Sequence, residues 1–118
     1  MAEYEVSVRS WFAAAHQLRL ADGTLEPLHG HNWNVTVTYA GPSLAPAGWL
    51  IDFTLVQARL NELLRTLHER TLNDLPAFRE RSPTAEAVAV FIAQRMSCDL
   101  PAGVRLKCVE VEEAPGCV

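Results

Sequence analysis

Cysteine is scarce in this chain of 118 residues, which contains only Cys98, Cys108 and Cys117. These three occur in no spacing typical of a metal-binding or redox motif, and an odd number of thiols does not indicate a disulfide framework. Long apolar runs are also missing, since no segment approaches the roughly eighteen apolar residues that a membrane-spanning helix needs. Residues 1–10 carry charged side chains where a secretory signal has its apolar core. We therefore expect a cytoplasmic protein with reduced thiols and no membrane contact.

An excess of positive charge is missing as well. The chain has 10 Lys and Arg residues against 14 Asp and Glu residues, a formal net charge of −4, whereas nucleic-acid-binding proteins usually carry a basic face. Hydrophobic residues at 49% and charged residues at 20% are ordinary values for a folded globular protein. The length suits one hydrophobic core. We predict a single domain over residues 1–118 that does not bind nucleic acid.

Alternating patterns predict two long strands. Apolar residues share one parity over residues 3–12, and the same pattern returns over residues 29–39. Side chains on one parity of a strand point to one face of the sheet. If the extended phase continues past the first pattern, His16 faces the same side as its apolar residues, and His29 and His31 do so in the second strand.

Shorter patterns follow. The apolar residues 49–53 predict a third strand, and apolar residues at helical spacing behind Thr54 predict a first helix, with Gln57 completing a capping box. A second helix is predicted to begin at Ser82, with Pro83 in its first position.

The last predicted strand spans residues 104–111, where the apolar parity slips between Cys108 and Val109. The slip indicates a bulge or a strand buried on both faces. Together the elements predict an α+β fold, a four-stranded antiparallel sheet with two helices packed on one face. Two sheet edges and one uncovered face favour self-association, by edge pairing or by closure of the sheet.

Three histidines form the chemically distinctive pattern. His29 and His31 are separated by Gly30, which lets the backbone pass close to an ion, and His16 lies on a strand that could pair beside them. Three neutral histidines without a fourth protein ligand are typical of a catalytic zinc site, which keeps one position open. The alternative is a buried, hydrogen-bonded His16 and an ordinary turn at residues 29–31.

Six segments in order resemble the 6-pyruvoyl- and 6-carboxytetrahydropterin synthase family. They are Phe12-xxx-His16, His29-Gly30-His31-Asn32, Gly48-xx-Ile51-Asp52-Phe53, Leu72-Asn73, Pro83-Thr84-Ala85-Glu86 and Val109-x-Val111-x-Glu113-x-Pro115. The resemblance implies a tunnelling fold, in which antiparallel sheets of several subunits join into a barrel, commonly a homohexamer built as a dimer of trimers. It also implies Zn²⁺ bound by His16, His29 and His31, and a substrate, 7,8-dihydroneopterin triphosphate, held at a subunit interface.

The same resemblance implies roles for three further residues. Glu113 matches the family carboxylate that anchors the pterin ring, a task that suits a bidentate acceptor. The alternative is a surface glutamate in an acidic tail with Glu110 and Glu112. Thr84 and Glu86 match a family segment near the substrate pocket, but a role at the start of a helix explains them equally well.

Two departures from the family bear on the reaction. The position four residues before His29, commonly a catalytic cysteine, is Leu25, whereas Glu26 resembles the ExxHGH variant, whose product is 6-hydroxymethyl-7,8-dihydropterin. A carboxylate in a desolvated pocket can act as a general base. His68 and Glu69 stand where the family usually has Asp-His, so imidazole and carboxylate are exchanged, and the pair is either a base with its orienter or a lost relay.

The sequence thus predicts a zinc-dependent lyase acting on 7,8-dihydroneopterin triphosphate. Its product would be 6-hydroxymethyldihydropterin, 6-carboxytetrahydropterin or 6-pyruvoyltetrahydropterin, with Glu26, His68 and Glu69 moving protons. The alternative is a non-catalytic homologue that binds zinc and pterin but has lost the usual cysteine. A metal-dependent hydrolase on an unrelated scaffold would require the ordered segments to be coincidental.

Overall fold

A four-stranded sheet carries two helices on one face in the computed structural model, which describes residues 3–118 and leaves out Met1 and Ala2. The elements in chain order are β1 (Tyr4–His16), β2 (His29–Gly41), α1 (Phe53–Arg65), β3 (Arg70–Thr71), α2 (Ala85–Met96) and β4 (Arg105–Glu112), with two single-turn 3-10 helices at Leu72–Asp74 and Pro76–Phe78. The sheet order is β3-β1-β2-β4. The predicted α+β class with two helices is confirmed.

The sheet is mixed, so the prediction of a wholly antiparallel sheet is wrong. β1 and β2 are antiparallel along their full length, as are β2 and β4, but β3 runs parallel to β1. The reason is the path of the chain after β2. α1 carries it back to the far end of the sheet, where Arg70 and Thr71 join Ala14 and Ala15 in the same direction as β1.

The predicted strand at residues 49–53 is also wrong. The segment before α1 is irregular, and its apolar side chains Leu50 and Ile51 are buried as loop residues that close one end of the core. A short apolar run does not distinguish a strand from other buried backbone. The third strand, β3, is instead a two-residue pairing too short to leave an alternating pattern.

Both helices begin at residues other than the predicted caps. Asp52 caps α1, because its carboxylate accepts a hydrogen bond from the backbone N–H of Thr54 at 2.9 Å. Thr84 caps α2, where its hydroxyl accepts from the N–H of Ala87 at 3.0 Å. The second start therefore lies two residues beyond the predicted one. At both ends a side-chain oxygen satisfies a backbone donor of the first turn.

A bulge in β4 is confirmed, at Lys107 and so slightly before the predicted slip. Thr38 pairs with Cys108 and Tyr39 with Leu106, which leaves Lys107 as the extra residue. Before the bulge, the even-numbered Leu106 faces the packed side of the sheet. After the bulge, the odd-numbered Val109 and Val111 face that side.

The core lies between the inner face of the sheet and the helices. Val8, Phe12, Ala14 and His16 of β1 are all buried, which agrees with the predicted parity. The partners from the other elements include Trp33, Val35, Val37, Val56, Leu60, Leu64, Val88, Ile92 and Val111. At one end of this buried face, the inward side chain of β1 is therefore the histidine His16 and not an aliphatic residue. Within residues 3–118 no helix is long and apolar enough to cross a membrane.

Candidate metal and active site

Three imidazoles converge where β1 ends and β2 begins. His16 is the register partner of His29, and their ring centroids are 4.7 Å apart. His31, two residues further along β2 on the same face, lies 5.2 Å from His16 and 4.7 Å from His29 between centroids. The antiparallel pairing of the two strands thus brings the three predicted metal ligands together.

Backbone carbonyls orient two of these rings. Nδ1 of His16 donates to the carbonyl of Pro83 at 2.7 Å, and Nδ1 of His29 donates to that of Pro27 at 2.9 Å. A neutral imidazole that donates from Nδ1 keeps its lone pair on Nε2. These second contacts therefore fix the tautomer that a metal ligand requires.

Glu113 enters the same cluster just past the end of β4. Its Oε1 lies 3.0 Å from Nε2 of His16 and 3.2 Å from Nε2 of His31. Those distances alone would suggest hydrogen bonds, yet both nitrogens are buried without a hydrogen-bond partner in the described part of the chain. A hydrogen bond requires direction as well as proximity, so these close contacts are not hydrogen bonds. The two nitrogens and the oxygen therefore lie close together without being hydrogen-bonded to one another.

The donor set fits a divalent metal ion. One ligand atom from each of His16, His29, His31 and Glu113 lies within 4.8 Å of the others, and imidazole with carboxylate is a donor set that zinc accepts. Burial lowers the pKa of the His31 imidazole, although the nearby Glu113 carboxylate opposes this shift. The neutral form, which alone can bind a metal, is thereby favoured.

Trp33 supports the cluster and was not identified from sequence as a functional residue. Its fully buried ring lies edge-on to the rings of His16 and His31, at 4.8 and 5.8 Å between centroids. The indole N–H donates to the carbonyl of Ala14 at 3.1 Å, which ties β2 to β1 beside the histidines. The only available signal was its parity, which it shares with His29 and His31.

Glu26 lies beside the cluster. Its Oε1 accepts from the backbone N–H of Leu18 at 3.0 Å and is 3.8 Å from Nε2 of His29. The backbone N–H of Glu26 also donates to the carbonyl of Leu18. These contacts hold a carboxylate next to the position that a metal ion would occupy.

His68 and Glu69 lie instead along the edge of β1. Nδ1 of His68 accepts from the N–H of Ala13 at 3.0 Å, and its ring packs edge-on against Trp11. Glu69 is 3.7 Å from Nε2 of His68 and has a positive φ of 58°. Glu69 and His31 both line a surface depression of about 530 Å³.

The two predicted substrate-binding residues at the start of α2 differ in position. Thr84 is the helix cap, and it follows Pro83, the residue whose carbonyl orients His16. Glu86 is exposed in the first turn of α2. Thr84 is therefore linked to the cluster through the backbone.

Comparison with known proteins identifies relatives along nearly the whole chain. A family model described as 6-pyruvoyl tetrahydropterin synthase matches residues 5–118. The dihydroneopterin monophosphate aldolase of Pyrococcus furiosus is 30% identical over 99 residues, which cover 84% of this chain and 80% of the relative. The 6-carboxy-5,6,7,8-tetrahydropterin synthase of a Synechocystis species is 36% identical over 90 residues, covering 72% and 68%. The Caenorhabditis elegans 6-pyruvoyl tetrahydropterin synthase structure superposes with a TM-score of 0.82 at 24% identity, covering 99% and 93%.

Proposed function

Since this chain belongs to the 6-pyruvoyl tetrahydropterin synthase family, we propose that it is a zinc-dependent lyase that cleaves the side chain of 7,8-dihydroneopterin triphosphate. The observation that carries the proposal is the position of Glu26, 3.8 Å from His29 at the edge of a histidine cluster that fits a metal ion. A base beside a metal site is the combination that cleavage of a hydroxylated side chain requires.

His16, His29 and His31 would hold the ion. Bound there, zinc supplies a Lewis acid that lowers the pKa of a substrate hydroxyl and stabilises negative charge on its oxygen. The two backbone carbonyls that accept from Nδ1 of His16 and of His29 fix the orientation of these rings. Glu113 would accept the two-donor edge of the pterin ring and so orient the side chain toward Glu26.

Glu26 would be the base of a retro-aldol cleavage. Its carboxylate takes the proton of the hydroxyl on the second side-chain carbon, and the bond between the first and second carbons breaks. The second carbon leaves as an aldehyde with the phosphorylated remainder, while the electron pair is shared with the dihydropterin ring. The protonated Glu26 then returns a proton to the first carbon, which leaves a hydroxymethyl group. His68 and Glu69 lie along the edge of β1, so assistance from them as a base and its orienter would require the substrate to extend into the depression that Glu69 and His31 both line.

The product we propose is 6-hydroxymethyl-7,8-dihydropterin. Leu25 stands where a thiolate would be needed for the common route, and Glu26 is held beside the cluster. The name of the Pyrococcus furiosus relative, an aldolase, supports cleavage of this kind. The same name mentions a monophosphate, so the experiment compares substrates with one phosphate and with three.

The experiment supplies zinc-loaded protein with the triphosphate and the monophosphate of dihydroneopterin and identifies the pterin product by mass spectrometry. We expect Glu26→Gln to lower turnover by about 100-fold or more without changing zinc content, while the exposed control Glu80→Gln keeps full activity. No turnover of either compound would overturn the lyase assignment. A 6-carboxy or 6-pyruvoyl product would overturn the product alone.

A second candidate is a zinc- and pterin-binding protein without catalytic activity. The observation favouring it is that Glu26 already has a structural hydrogen bond to Leu18, which explains the residue without catalysis. This candidate predicts stoichiometric zinc and pterin binding, no turnover, and indifference of pterin binding to Glu26→Ala.

A further inference from the structure

The Glu113 carboxylate lies among the histidine nitrogens, in the position of a ligand. Its Oε1 is close to Nε2 of both His16 and His31 but hydrogen-bonds to neither. Two buried nitrogens without partners would be costly in a site meant to stay empty. An ion at the common centre satisfies both nitrogens and the carboxylate at once.

The backbone after β4 holds Glu113 in this place. Its N–H donates to the carbonyl of Cys117 at 2.9 Å, and Gly116, with a φ of 82°, allows the tight turn between them. The preceding Glu112 points elsewhere, since its Oε1 accepts from the side-chain amide of Asn34 at 3.1 Å. One of two adjacent glutamates is thus presented to the histidines and the other is turned away.

We propose that the Glu113 carboxylate is the fourth ligand of the metal centre in the substrate-free protein, and that binding of a pterin ring releases it. The proposal rests on the function proposed above. A carboxylate oxygen bound to a metal is a weaker hydrogen-bond acceptor, so the two-donor edge of a pterin ring competes with the metal for Glu113. The substrate-free centre is therefore closed by Glu113, and arrival of the ring frees the open position that a catalytic zinc site needs.

Release of Glu113 makes metal and pterin bind antagonistically when the pterin has no side chain. Such a ring must remove Glu113 from the metal and offers no hydroxyl in return. By thermodynamic linkage, the ring then weakens metal binding by the same factor by which the metal weakens binding of the ring. A substrate with side-chain hydroxyls replaces the lost Glu113 contact at the metal with its own oxygen. Release of Glu113 therefore favours binding of complete substrates over pterin rings without a side chain.

The first experiment uses cobalt-loaded wild-type protein and unsubstituted pterin, with binding followed by calorimetry and the metal centre by its visible absorption. We expect the cobalt spectrum to change in proportion to bound pterin. We also expect the cobalt affinity, from chelator competition, to fall about 5- to 150-fold at saturating pterin, the usual range for coupled sites. Pterin binding with an unchanged spectrum and unchanged cobalt affinity would overturn the proposal, as would an absence of pterin binding.

The second experiment compares Glu113→Gln with the control Glu110→Gln, which removes the same charge from an exposed position on β4. Glu113→Gln should alter the cobalt spectrum without pterin and lower cobalt affinity at least ~10-fold, and Glu110→Gln should do neither. If Glu113 only anchored the ring, its variant would lose pterin binding and keep the wild-type spectrum. Should Glu113→Gln fail to fold, the wild-type titration decides alone. Failure of the lyase assignment is separate, because it appears as absent turnover whatever the cobalt spectrum does.

Discussion

His29 and His16 differ in what they contribute to folding, although both face the cluster. His16 is fully buried, bonded to Pro83 and packed against Trp33, so replacing it would disturb the core as well as the site. The side chain of His29 is 38% exposed. Substitutions at exposed positions usually change stability by no more than ~0.5 kcal/mol. His29 is therefore the position at which metal binding can be tested with little effect on the fold.

His29→Ala should lower zinc affinity by at least ~100-fold, since losing a ligand costs more than the ~10–100-fold that loss of a supporting contact costs. His68→Ala is the matched control, because its side chain is 37% exposed but lies at the edge of β1. It should leave zinc affinity unchanged. Chelator competition measures both, with thermal unfolding as the check on folding. Equal losses in the two variants would contradict the assignment of ligands.

Trp33 links the site to the core, and Trp33→Phe tests that link. The change removes the donor to the buried carbonyl of Ala14, and an unsatisfied buried acceptor costs about 1–3 kcal/mol. We expect urea unfolding to show a loss of that size, together with a fall in zinc affinity of about 10-fold because the smaller ring packs less completely against His16. Trp49→Phe, at a residue 49% exposed, should change neither quantity; an equal loss there would show that the effect is not specific.

The convergence of the histidines could be predicted because it depends only on strand parity. His29 and His31 alternate with Gly30, and His16 continues the apolar parity of β1. Placing Glu113 at the metal required more. The bulge at Lys107 changes which residues of β4 face inward, and without that register a sequence cannot show which of the neighbouring glutamates reaches the cluster. The backbone carbonyls that accept hydrogen bonds from the rings, such as that of Pro83, cannot be recognised from the sequence, because any residue supplies a carbonyl.

At the scale of elements, the start of α2 connects helix stability with the metal site. Thr84 caps the helix and Pro83, immediately before it, holds His16. The sequence placed this start two residues early because Ser-Pro is itself a good helix-start pattern. The irregular segment before α1 has a strand-like pattern for a comparable reason, since Leu50 and Ile51 are as apolar as strand residues although they fill the core from a loop.

Thr84→Ala should destabilise the protein by about 1 kcal/mol, the usual cost of losing a capping hydroxyl. Thr84→Ser should restore most of that stability, because serine supplies the same acceptor to the N–H of Ala87. Ser82→Ala, at the position that the sequence favoured as the cap, should be close to neutral. Chemical denaturation measures all three variants. A larger loss at Ser82 than at Thr84 would contradict the observed cap.

At the scale of the whole molecule, the sheet leaves one face and two edges for a partner. The chain is elongated, 54 × 26 × 26 Å, and both helices pack on the inner face. β1 pairs with β3 over only two residues, and β4 is the last strand on the other side of the sheet. Trp11, 56% exposed on the outer face, is an aromatic residue that solvent does not favour. Open sheet edges beside an exposed aromatic residue are features that favour self-association.

The resemblance to the pterin synthase family implies a homohexamer built as a dimer of trimers, and we predict that assembly for this protein, by edge pairing of these sheets, with six copies of the 13.1 kDa chain. Native mass spectrometry and light scattering of the zinc-loaded protein measure the mass directly. Trp11→Glu should shift the mass toward the single chain, because assembly would bury an unpaired charge. Trp49→Glu places the same charge on another exposed tryptophan, outside the sheet, and should leave the mass unchanged. A wild-type protein that remains monomeric at micromolar concentration would contradict the prediction. Equal dissociation of both variants would show that the outer face of the sheet is not specifically involved in assembly.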